Sequence, residues 1–91
     1  MKINIISYKL PKHTPSPKQE CGWVALHDDK AVGWNSLIFE SYDTIKFANA
    51  FVEEEYRGKG IYRMLCDERW KYCEENFKGW KVISYCLQTT L

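Results

Sequence analysis

Apolar and polar positions alternate along the first half of the chain and recur at helical spacing along the second. Lys2–Tyr8 carries Ile3, Ile5 and Ile6 and predicts a short strand. Leu10–Glu20 holds Pro11, Pro15 and Pro17, which lack amide donors and fix φ, so it predicts a loop. Trp23–His27 and Ala31–Phe39 are β-prone runs joined by the turn residues Asp28, Asp29 and Lys30. A second turn, Ser41–Asp43, leads into Thr44–Val52, where Ile45, Phe47 and Phe51 are expected on one core face. Connections this short predict an antiparallel meander.

The polar stretch Glu53–Gly60 breaks that pattern, and Ile61–Phe77 follows with helical periodicity. Leu65, Cys66, Trp70, Cys73 and Phe77 recur at three- and four-residue spacing and are the expected core stripe; Asp67, Glu68, Lys71, Glu74 and Glu75 lie mostly opposite. Gly79 is the expected helix-terminating glycine, and Trp80–Leu87 a final strand. The whole predicts an α+β fold: a mixed, mostly antiparallel sheet of about five strands and one main helix after the glycine loop. A chain of 91 residues holds one domain, with 1–21 as strand and proline-rich loop and 22–90 as its core.

Composition narrows the function classes. A content of 45% hydrophobic residues with a net charge of +1 excludes disorder, and the same balance gives no electrostatic reason to expect nucleic acid. No apolar run approaches the roughly 20 residues of a membrane span, and Met1–Ile6 is too short for a signal peptide, so a cytoplasmic protein is expected. Cys21, Cys66, Cys73 and Cys86 form no CxxC pair, and His13 and His27 are the remaining soft ligands, so free thiols and no metal site are expected. Trp23, Trp34 and Trp80 are more than so small a core usually holds, which predicts a partner surface, and the sheet edge or splay left open beside the last strand predicts self-association as a homodimer.

The candidate chemistry lies in Arg57-Gly58-Lys59-Gly60-Ile61, between a strand and the helix. Glycines let backbone approach a ligand, and a helix N-terminus presents free N–H groups at the positive end of its dipole. With Arg57 and Lys59 this suits a pyrophosphate. The segment is neither GxxxxGK[ST] nor GxGxxG, since position 63 is Arg. Local chemistry alone leaves a second reading open, a turn with two solvated cations.

Phe51 to Tyr62 resembles the acetyl-CoA-binding motif of the GNAT (Gcn5-related N-acetyltransferase) superfamily, written Q/R-x-x-G-x-G/A. Arg57 and Gly60 match it, while Tyr62 replaces the last small residue. Ala31-Val32-Gly33 and the strand ending in Phe51-Val52 fit the same context, so the resemblance covers about residues 22–90. It implies a minimal GNAT-like fold that binds acetyl-CoA as co-substrate and transfers its acetyl group to an amine. Phe51 and Val52 would pair with the pantetheine arm, and Arg57, Gly58, Lys59, Gly60, Ile61 and Tyr62 would hold the pyrophosphate. The chain lacks the N-terminal helices of longer members, and Lys46 stands where the histone-acetyltransferase branch has its glutamate base. Lys81–Cys86 is similar to a late strand of the shortest members and puts Cys86 at their cysteine, with Ser84 in place of the usual proline.

Cys86 is thus a candidate nucleophile or pocket wall, or else a small buried hydrophobe. Asn49 or Glu53 could steer an amine, though each also suits an exposed strand end. His27, beside Asp28 and Asp29, is a candidate base or a turn-flanking surface histidine. Absence of the standard base leaves an alternative in another class, an inactive GNAT-fold module that binds or inhibits another protein.

Overall fold

The computed structural model describes residues 1–84 and 87–91. Strand β1 (Asn4–Tyr8) is followed by β2 (Glu20–His27), β3 (Lys30–Phe39) and β4 (Thr44–Val52). A single 3-10 turn (Glu54–Tyr56) precedes helix α1 (Ile61–Asn76), and β5 (Lys81–Ser84) and β6 (Leu87–Thr90) complete the sheet. Its six strands lie in chain order, all pairs antiparallel except β4 with β5. The meander is as expected, because its tight connections permit nothing else. The expected last strand, Trp80–Leu87, is instead two strands, so the sheet has six rather than about five. Beyond β6 the chain stays tied down: Gly79 N–H donates to Leu91 O at 2.8 Å, and Leu91 N–H to Trp80 O at 2.8 Å.

Helix α1 packs on one face of β2, β3 and β4. Cys21, Trp23, Ala25, Leu37, Phe39, Ile45, Val52 and Val82 join Ile61, Leu65, Cys73 and Phe77 in the core. The small side of the sheet lets the helix come close: a Cβ at Gly33 would lie 3.3 Å from Leu65 Cδ1. At the helix end, Phe39 and Phe77 meet edge to face at 5.1 Å, and Trp23 and Tyr72 at 5.4 Å.

Two expectations about side chains are corrected. The buried helical stripe runs Ile61, Leu65, Arg69, Cys73, a strict four-residue step. Cys66 is only half-buried and Trp70 is exposed at its rim, because the helix turns its four-step row, not its three-step row, onto the sheet. In β4, Ile45 is buried but Phe51 lies on the opposite face, and Val52 takes the core place. The cause is a bulge: β3 pairing steps from Trp34↔Phe51 to Ser36↔Ala48, and Asn49 adopts φ +51°. One extra residue reverses the faces of everything after it.

Candidate functional site: a glycine loop beside an unpaired strand edge

Parallel pairing of β4 with β5 spans Thr44↔Lys81 to Lys46↔Ile83. Among the described residues, the β5-side edge of β4 from Phe47 to Val52 has no strand beside it. That edge runs toward the glycine loop. Gly58 and Gly60 have φ of +76° and +85°, so the loop needs residues without a Cβ penalty, and a Cβ at either would meet nothing within 4 Å. The space above them is open.

Gly60 is the N-cap of α1 and provides no side-chain cap. The first amide to rejoin the helical ladder is Met64 N–H, 3.1 Å from Gly60 O, which leaves the amides of Ile61, Tyr62 and Arg63 ahead of it. The first turn contains no acidic residue, contrary to the usual preference at this end of a helix. Arg57, Lys59 and Arg63 add charge, and no described carboxylate pairs with any of them. The arrangement can receive an anion.

A cavity of 510 Å³ joins the two features. Ala50, Phe51 and Val52 line it from β4, Tyr56, Arg57, Gly58 and Gly60 from the loop, and Ile61, Tyr62 and Arg63 from the helix. Its size suits a small-molecule ligand. Arg57 is partly committed: its Nε donates to Val52 O at 3.0 Å and its guanidinium lies 5.8 Å from the Phe51 ring centroid. Phe51 in turn stacks on Trp34 at 4.8 Å. Of the six residues expected at the pyrophosphate, five line this cavity together with Phe51 and Val52. Lys59 sits on the exposed loop between the glycines without lining it.

The remaining candidates lie elsewhere. Asn49 is at the β4 bulge, exposed, with its Nδ2 donating to Ser36 Oγ at 3.2 Å, while Ser36 Oγ donates to Ala48 O at 3.3 Å. Cys86 lies outside the described residues. Glu53 continues the strand, its N–H donating to Val32 O at 2.8 Å. His27 is not a free surface histidine: its Nδ1 shares a hydrogen bond of 3.2 Å with the Tyr56 hydroxyl, and Asp28 lies 3.6 Å from its Nε2. It braces the loop from behind.

The residue that sequence reasoning missed is Arg69. It is buried in α1, with Nη1 donating to Ser36 O at 2.9 Å and to Ala48 O at 3.3 Å. Those are carbonyls at the bulge, where ladder pairing is interrupted. Its Cζ lies 4.1 Å from the Phe47 ring centroid. Burial lowers its pKa from the ordinary arginine value, with opposing contributions from the nearby Cys66 and Tyr62. Its four-residue step from Ile61 and Leu65 puts it on their face, but nothing in the sequence separates it from a solvated arginine.

Comparison with known proteins agrees with this fold. A profile of the acetyltransferase (GNAT) domain matches residues 18–90. Among solved structures, an acetyltransferase of the GNAT family from Staphylococcus aureus Mu50 superposes with a TM-score of 0.68 at 21% identity, over 89% of this chain and 72% of that one. A likeness at that identity is one of fold. A search of curated proteins gives no significant match. With the profile spanning nearly all of the sheet and the helix, and the glycine loop seated between β4 and α1, the chain belongs to the GNAT acetyltransferase family.

Proposed function

We propose that the protein binds acetyl-CoA in the cavity between β4 and the glycine loop and transfers the acetyl group to an amine. The observation that carries this reading is the uncapped, acid-free N-terminus of α1, opening onto a cavity lined by β4. The amides of Ile61, Tyr62 and Arg63 would receive the pyrophosphate, with Arg57 and Lys59 adding charge. The pantetheine arm would lie against the β5-side edge of β4 that no described strand covers, where backbone groups near Phe51 and Val52 can match its amides. Tyr62 does not obstruct this, since its side chain is 56% exposed and only its N–H is needed.

In the transfer the amine nitrogen attacks the thioester carbonyl and a C–N bond forms. The C–S bond breaks, coenzyme A leaves as thiolate, and the proton lost by the nitrogen passes through solvent water to that thiolate. A β4 N–H can donate to the carbonyl oxygen as charge develops on it. The exposed Asn49, its nitrogen tied to Ser36, can present its carbonyl oxygen to the incoming amine. Among the described residues that line the cavity there is no aspartate, glutamate or histidine, so the reading takes the attacking amine as neutral. The part given to Cys86 rests on family resemblance alone and is tested by Cys86→Ala.

Calorimetry with acetyl-CoA tests the reading, followed by release of coenzyme A in the presence of simple amines. Binding without release for any amine would favour the second reading, a binding module without catalysis. Its supporting observation is the apolar sheet face opposite α1, where Ile6, Trp34, Phe51 and Ile83 are exposed by 36–51%. No heat at millimolar ligand would remove both uses of the cavity.

A further inference from the structure

Three hydrogen bonds close on two carbonyls where β4 bulges. Arg69 Nη1 donates to Ser36 O at 2.9 Å and to Ala48 O at 3.3 Å, and Ser36 Oγ donates to Ala48 O at 3.3 Å. The serine hydroxyl is itself oriented, since Asn49 Nδ2 donates to it at 3.2 Å. Arg69 is 6% exposed, its Cζ rests 4.1 Å from the Phe47 ring centroid, and it hydrogen-bonds Cys66 one turn earlier in α1. These contacts make it a clamp that draws the helix onto the β3–β4 seam.

A clamp needs no charge. Ser36 Oγ already gives Ala48 O a neutral donor, and Arg69 takes part in neither of the ion pairs formed among the described residues. A cation taken out of water without a carboxylate is costly. What it adds is polarisation: a charge-assisted bond is roughly twice as strong as a neutral one, and hydrogen bonds in series polarise one another. Ala48 C=O and Asn49 N–H belong to one peptide group, and no peptide among the described residues is cis. In a planar trans peptide the N–H points opposite to the C=O. Ala48 O is held by Ser36 on β3 and by Arg69 on α1, so Asn49 N–H points away from both, toward the β5-side edge that no described strand covers. Asn49 adjoins Ala50, where the cavity lining on β4 begins. An arm that leaves the glycine loop and follows β4 from Val52 past Ala50 brings its far end to that N–H.

We propose that Arg69, with Ser36, is a positioning residue for acyl transfer, fixing and polarising the Ala48–Asn49 peptide so that Asn49 N–H donates to the thioester carbonyl oxygen. The proposal rests on the acyl-CoA reading of the cavity. Neither side chain touches the ligand; the effect of the cation passes through one peptide plane to the oxygen on which charge develops.

Infrared spectra of acetyl-CoA, isotope-labelled at the thioester carbonyl and bound to the full chain at saturation, read the strength of that bond. The carbonyl band is expected at lower frequency on the native chain than on Arg69→Met, which keeps an unbranched apolar stem and removes every donor. Arg69→Lys restores a cationic donor and should recover part of the shift. Ser36→Ala should move the band in the same direction as Arg69→Met, by less. A role in stability alone would lower the melting temperature of these variants and leave the band in place, and that result overturns the proposal. A band in Arg69→Lys no different from that in Arg69→Met overturns the part given to the charge. If Arg69→Met fails to fold or to bind, Ser36→Ala decides alone, and an unmoved band there overturns the proposal. Absence of acetyl-CoA binding by the native chain is a separate outcome: the acyl-CoA reading has then failed, and this proposal with it.

Discussion

Three of the four cysteines are described, and their surroundings separate them. Cys21 faces α1 from β2, Cys73 faces the sheet from α1, and burial first, followed by the charge of Glu20 for Cys21 and of Cys21 for Cys73, pushes both thiols up to about 12. A thiol held neutral is a poor nucleophile. Native protein treated with a disulfide reagent near pH 8 should therefore lose Cys66 before Cys21 and Cys73, which should react only on unfolding. Mass mapping of the labelled peptides decides this, and early labelling of Cys73 would contradict it. The same shifts fix a stability trend. A thiol whose pKa is raised by folding contributes fully below its ordinary value of 9.0, and the contribution is lost as pH rises toward 12; Tyr72, also pushed up to about 12 by burial, adds in the same direction. Melting temperature should fall above pH 9 and stay level between 7 and 9 as far as these groups are concerned.

Gly60 carries the most direct residue-scale test of the site. At φ +85° any substituted side chain meets the left-handed penalty of about 1–2 kcal/mol, although the space around it is open. Gly60→Ala should thus cost mainly stability, seen in a urea titration. Gly60→Asp should in addition weaken acetyl-CoA binding, because its carboxylate faces the place argued for the pyrophosphate. Equal affinities in the two variants would place the ligand elsewhere. The glycines, their charge and the start of the helix were all legible in the sequence, since glycine before a periodic run has a local meaning. Arg69 was not. A charged residue at an i+4 position is indistinguishable from a solvated one until the sheet beneath it is known to offer two free carbonyls.

At the scale of the element, the bulge in β4 decides what the strand presents. Without it Phe51 would enter the core; with it, Val52 does, and Phe51 turns to the open face to stack on Trp34. The strand's ends and its pairing partner were readable from alternation and short turns, but alternation assumes a regular pleat. The one hint was Asn49, a residue type that tolerates the left-handed region better than most. Asn49→Val should be destabilised by about 1–3 kcal/mol, since a β-branched side chain resists φ +51° and the bond to Ser36 Oγ is lost. Acyl-CoA affinity should fall with it, because relaxing the bulge turns Phe51 inward and moves the edge that lines the cavity. A urea titration with parallel calorimetry checks both, and unchanged affinity would mean the bulge does not position the ligand.

For the molecule as a whole, one helix on one side of a six-stranded sheet leaves the other side to be accounted for. Cross-strand register aligns Ile6, Val24, Trp34 and Phe51 in a single row over β1 to β4, and Ile83 lies on the same face opposite Lys46. Three of the four tryptophans foretold an apolar surface, but not which one supplies it: Trp23 is core, Trp80 is half-buried, and Trp34 is at this face. Exposed apolar residues aligned in one row are the kind of patch that marks an interaction surface. We expect it to pack against a second copy, because a twofold contact lays the same row on itself and covers both faces at once. The contact would also wall the side of Phe51 that borders the cavity, coupling association to ligand binding. Light scattering over a dilution series should then show a dimer that dissociates on dilution, and Trp34→Glu should shift it to monomer by placing a charge at the centre of the row. Because Trp34 is only partly buried, that variant should keep its far-ultraviolet circular dichroism. A native chain that stays monomeric at every concentration, with acetyl-CoA affinity unchanged in Trp34→Glu, would show that the row is covered by nothing and takes no part in the site.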